Sequence, residues 1–225
     1  MELLEFARGP GLALALALFL GGTAWRLIAI LRFPVKPDYS QPRSAATGRG
    51  ALRAIVSRMV PHAAFRERTL ASMVHAYGYH LGLAIVVFGY GPHIAFIERL
   101  TGLTWPAVPG WLFALAVALT FIGLFYALFA RLSSPVLRLL STFDDYFSWF
   151  VTLLPMLTGM ALISLPIETR VYPASLANPL WVAIHLLSLE LLLAWLPFGK
   201  LGHAFLVFFS RGATGAAFAR KGAAL

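Results

Sequence analysis

The chain contains no cysteine. That absence excludes disulfides, thiolate nucleophiles, cysteine-ligated iron–sulfur clusters and covalent haem attachment through a Cys-x-x-Cys-His motif. Any haem held here depends on histidine and packing. Charge is scarce as well: only 12% of the 225 residues are Asp, Glu, Lys or Arg. Soluble domains carry roughly a quarter. Acids are the rarer sign, nine against eighteen bases. No outer loop is long enough to be a catalytic domain, so chemistry on a soluble substrate would belong to a partner.

What remains is apolar, with 60% hydrophobic residues. Apolar runs at 11–31, 71–97, 111–130, 147–165 and 180–209 predict five membrane spans. The first run carries Trp25 and Arg26 near its end and lacks a small-residue cleavage pattern, so it reads as a retained span and not a signal peptide. The expected fold is an all-α integral membrane bundle of five transmembrane helices, a single domain over 1–225. Basic residues set its orientation. Fourteen Lys/Arg fall between Arg32 and Arg68, at Arg131 and Arg138, and at Lys200, Arg211, Arg220 and Lys221. Only Arg8, Arg99 and Arg170 fall on the other side. The positive-inside rule then puts the N-terminus outside and the C-terminus in the cytoplasm. The net charge of +9 reflects topology and anionic lipid, not nucleic acid. The cytoplasmic connector at about 33–70 turns amphipathic, with Leu52, Ile55, Val56 and Met59 alternating helically with Arg53 and Arg58. It is expected to lie on the membrane surface or to dock a soluble subunit.

Ionisable residues inside a membrane are functional candidates. His185 and His203 are eighteen residues apart, five turns of a continuous helix, which would put both on one face about 27 Å apart. That nearly matches the ~30 Å hydrocarbon core. With span two running outward and span five inward, His93 would meet His185 near the outer face. His80 or His75 would meet His203 near the cytoplasm. Four imidazoles at two depths predict axial ligands for two stacked haems. Bis-histidine ligation leaves iron no open position, which suits electron transfer. Between the inner candidates, the helical wheel favours His75, eighteen residues before His93, but Gly89, Gly91 and Pro92 interrupt the helix just ahead of His93. His62, in the basic connector, is expected to be solvated.

Other groups invite a role. Asp144 and Asp145 open span four, either as helix-capping acids or as a grip for a partner. Glu190 lies inside span five, where a carboxylate faces the interior and would steady a haem. Arg26, Arg131, Arg138 and Lys200 flank the cytoplasmic level, as haem-propionate partners or snorkelling topology determinants. Glu98 and Arg99, after His93, are placed to cap their span.

Two segments, YHLGLAIVVFG from Tyr79 and HLLSLELLLAWLPFGKLGH from His185, resemble the gamma subunit of respiratory nitrate reductases. The wider cytochrome b family includes the membrane cytochromes of sulfite-reductase-linked and heterodisulfide-reductase-like complexes. The second segment keeps the eighteen-residue histidine spacing and a Pro-Phe-x-Lys-Leu element; span count and orientation extend the resemblance over most of the chain. It implies His80 as the first span-two ligand. At the second ligand's usual place, ten residues on, stands Tyr90, with His93 three residues later. The expectation is that the broken helix delivers His93 to the outer haem, giving two haem b with ligands His80, His93, His185 and His203. Loss of that ligand would leave one. The resemblance further implies a quinone or quinol site and a cytoplasmic iron–sulfur or molybdenum-containing redox subunit in a prokaryotic inner membrane; at that site Glu190 would release quinol protons, and Glu98 and Arg99 would hold the headgroup as the alternative to capping. Such a chain is an electron-transfer subunit of a quinone-linked oxidoreductase, not a complete enzyme. The rival readings are a small transporter and an assembly anchor with structural histidines.

Overall fold

A computed structural model of the chain describes residues 2–33, 38–164 and 178–223. Among them there is no strand, and four helices are long and apolar enough to cross a membrane. A fifth span arises if the bent pair Pro179–Trp195 and Lys200–Arg220 counts as one. The all-α, multi-span character expected from composition is therefore present. Leu165, Arg170 and most of the predicted outer loop at 168–179 lie outside the described residues.

The helices are α1 (Leu3–Arg8), α2 (Pro10–Arg32), α3 (Thr47–Ser57), α4 (Arg66–Gly89), α5 (Gly91–Thr101), α6 (Gly110–Ser133), α7 (Pro135–Leu140), α8 (Phe143–Ser164), α9 (Pro179–Trp195) and α10 (His203–Arg220). They fall into two compact units, Met1–Met59 with Thr142–Leu225, and Val60–Ser141.

In the second unit α4 packs on α6 through small residues. A Cβ on Gly82 would stand 2.6 Å from the Ala116 carbonyl oxygen and 2.7 Å from Thr120 Oγ1. Thr120 is fully buried and turns its hydroxyl back to donate to Ala116 O at 2.7 Å. Where lipid is as apolar as leucine, close backbone approach of this kind replaces hydrophobic burial as the source of helix association. The predicted interruption of span two is present. α4 stops at Gly89, Tyr90 is extended, and α5 restarts with Pro92 in its first turn. Pro92 has no N–H to give the Phe88 carbonyl, its partner in an unbroken helix. Trp105 Nε1 donates to that oxygen instead at 2.6 Å, and Val108 N–H donates to Gly89 O at 3.0 Å. α5 closes on Gly102, whose φ of 77° is left-handed and whose N–H reaches Glu98 O.

In the first unit α9 packs on α8, α2 and α1, and α3 packs on α10. The continuous helix expected over 180–209 is not formed. α9 ends at Trp195, a 3₁₀ turn covers Lys200–Gly202, and the chain bends by 77° before α10. Pro197 removes a helix donor, and Gly199 is extended with φ −91° and ψ −172°. The five-turn geometry linking His185 to His203 therefore does not apply.

The break is anchored from two neighbouring helices. Arg26 of α2 donates from Nη1 to Pro197 O at 3.1 Å. Gly22 gives Pro197 room, since a Cβ there would lie 2.8 Å from the ring. From α8, Asp144 accepts the Lys200 N–H at 3.0 Å, and Asp145 accepts Lys200 Nζ at 2.5 Å. α3 packs through its small residues. Its buried residues are Gly50 and Ala54, set against Gly215 of α10, while Leu52 and Val56 stay exposed. Small residues form the contact because they let the two backbones meet; a Cβ on Gly50 would stand 2.6 Å from Gly215 O.

Candidate functional site

The four histidines proposed as ligands are divided between the units, His80 and His93 in one, His185 and His203 in the other. Each points its Nδ1 at an oxygen within its own unit. His80 meets Ala76 O at 2.6 Å, one turn back along α4. His93 meets Val86 O at 2.9 Å, reaching across the break at Tyr90. His203 meets Lys200 O at 2.8 Å, at the 3₁₀ turn that opens α10. A carbonyl only accepts, so Nδ1 is the protonated nitrogen in all three, and the neutral ring carries its lone pair on Nε2.

His185 is held by side chains. Its Nδ1 lies 3.0 Å from Thr158 Oγ1 of α8. With Thr158 donating to Leu154 O at 3.0 Å, His185 is the donor to Thr158, again leaving the lone pair on Nε2. Ser188, 3.1 Å from Thr158, donates to His185 O at 2.6 Å. Gly159 opens a flank of the ring: a Cβ there would approach His185 Cε1 to 3.2 Å.

The other two histidines differ. His75 lies flat on Tyr126, ring centroids 3.7 Å apart and planes 18° from parallel. His62 is exposed, as expected, and its Nδ1 accepts from the Ala64 N–H, capping the 3₁₀ turn before α4.

Second-ring-nitrogen hydrogen bonds are the usual support of a metal-bound imidazole, fixing tautomer and ring plane. In each unit the two imidazoles have the tautomer that would suit Nε2 ligation of haem iron. Among the described residues no three His, Asp or Glu side chains gather to hold a bare ion.

Several groups expected near haem or partner have other work. Lys200 pairs with Asp145, Arg26 holds Pro197 O, and Arg131 donates to Ser141 Oγ at 2.9 Å. Asp145 caps α8 by accepting the Thr142 N–H at 2.8 Å, which bears out the capping alternative for that residue. Asp144 accepts from Ser148 Oγ at 2.8 Å, and Ser148 in turn accepts from Trp195 Nε1 at 3.1 Å. Sequence reasoning missed this linkage, because its partners lie 47 to 56 positions apart.

A protein of Nitratidesulfovibrio vulgaris (strain Hildenborough), described only as a protein, is 28% identical to this chain over 220 residues. The match covers 96% of this chain and 93% of the relative. No family model and no solved structure matches.

Proposed function

We propose that the chain is a di-haem b-type membrane cytochrome subunit, exchanging electrons between the quinone pool and a cytoplasmic iron–sulfur or molybdenum-containing redox partner. The observation that carries this reading is the common Nδ1 arrangement of His80, His93, His185 and His203, set against the different roles of His75 and His62. It favours His80 over His75 as the inner span-two ligand, in agreement with the resemblance to nitrate reductase gamma subunits. Bound haem would supply one-electron redox chemistry. The chain would supply oriented imidazoles, apolar spans that exclude water, and a broken backbone ahead of His93 and of His203. Quinone would meet the cytochrome toward the outer level, and the prokaryotic inner membrane would be its setting.

The test is anaerobic addition of a reduced quinol to the oxidised, purified protein while its absorption spectrum is followed. Reduced b-type bands developing with quinol are expected. Bands that appear only with dithionite would refute the quinone link. His75→Ala keeping both haems while His80→Ala loses one would support the ligand choice, and the reverse would move it to His75.

A further inference from the structure

Among the acids in the described residues, Glu190 is the one placed inside a helix of the membrane interior and away from a helix end. It sits eleven residues into α9, about 17 Å from the start of that helix. The residue is 7% exposed, and its Oε1 is buried with no hydrogen-bond partner among the described residues. Its carboxyl rests on bare backbone. A Cβ on Gly11 would lie 2.7 Å from Glu190 Oε2, so glycine is what makes the seat. Gly11 follows the join between α1 and α2, where Gly9 leaves the helix and Pro10 restarts it.

The titratable and charged groups on the described helices packed against α9 are Glu5 and Arg8 of α1, Arg26 and Arg32 of α2, and Asp144, Asp145 and Tyr146 of α8. Glu5, Arg8 and Arg32 are exposed. Arg26 is bonded to Pro197 O, while Asp144 and Asp145 are bonded at Lys200. His185, on α9 itself, is bonded to Thr158. None of these bonds reaches Glu190.

Two influences then compete on the carboxyl. Removal from water without a partner favours the neutral acid. The first turn of α2, in which Gly11 stands, carries the partial positive charge of a helix N-terminus and favours the anion. A group balanced in this way binds and releases a proton. We propose that Glu190 is a reversible proton-binding site of the membrane interior, seated on Gly11 at the join of α1 and α2. The ligand is a proton, and the site is independent of whether haem is bound.

The probe is dicyclohexylcarbodiimide, an apolar reagent that reacts with protonated carboxyls, applied to the full chain in lipid nanodiscs with adducts located by mass spectrometry. The expected result is an adduct at Glu190 that diminishes as the pH is made alkaline and disappears in Glu190→Gln. An infrared carboxylic-acid C=O band should vanish in Glu190→Gln and shift in Gly11→Ala, whose added methyl displaces the carboxyl. Circular dichroism checks that both variants keep their helix content. Absence of the adduct and of the band in a helical protein would overturn the proposal. So would adducts on the other acids alone, or labelling of Glu190 that does not change with pH.

Discussion

Two spans in this chain are broken, and they are stitched by different chemistry. The break at Tyr90 is closed by neutral donors, the Trp105 indole, the Val108 amide and the His93 ring, each given to a carbonyl at the end of α4. The break after Trp195 is closed by charge, with Arg26 on a carbonyl and two aspartates on Lys200. Both breaks come shortly before a histidine, His93 in one and His203 in the other. Each frees the ring from the geometry a straight helix would impose. A proline or glycine thus reorients a side chain at membrane depth only where other groups take over the freed backbone atoms. The charged closure suits a level near the lipid headgroups, and the neutral one can stay dry.

The comparison yields predictions of decreasing size. Replacing the histidine after either break, His93→Ala or His203→Ala, should halve the haem bound per chain, read by pyridine haemochrome assay. Equal retention of haem in both variants would separate the breaks from ligation. Next, Asp144→Ala leaves the Lys200 amide and Ser148 hydroxyl without their acceptor, at a cost of about 1–3 kcal/mol in stability. Thermal melting in detergent would read the loss. Trp105→Phe removes one neutral hydrogen bond from the other break and should cost about 1 kcal/mol by the same measurement. A larger loss for Trp105→Phe than for Asp144→Ala would reverse the contrast between the two closures.

The smallest effect belongs to an exposed charge outside the spans. Asp38 accepts from the Ser40 hydroxyl at 2.6 Å and the Ser40 N–H at 3.0 Å, with Arg220 of α10 beside it. These contacts, Ser40 first, hold its carboxyl below the usual carboxylate range. A depressed carboxyl stabilises the fold above its unfolded value, and that contribution is lost as pH falls through the folded one. Acidification should therefore lower hydrogen-exchange protection, relative to the intrinsic rate at each pH, at Ser40 and Arg43, whose N–H donates to Arg220 O, and Asp38→Asn should remove that pH dependence.

Part of this was legible in the chain. Gly89, Gly91 and Pro92 crowd four positions, and their local chemistry alone breaks a helix. Pro197 and Gly199 carry the same signal, yet hydropathy stays high on both sides, and eighteen residues happen to equal five helical turns. Periodicity therefore imitated a straight span. The clamp on that break was hidden because Arg26, Asp144 and Asp145 are distant in sequence, and each has an adequate local explanation as a topology or capping residue. The contact face of α3 was not legible for another reason: the amphipathic pattern follows Leu52 and Val56, while close packing follows Gly50 and Ala54. The histidines themselves were visible; their shared hydrogen-bonding habit needed side chains in place.

The most direct test of the cytochrome reading is haem content of the purified full-length protein, by pyridine haemochrome assay beside a reduced-minus-oxidised spectrum. Two b-type haems per chain are predicted. A folded protein recovered from a haem-replete membrane without haem would contradict the account.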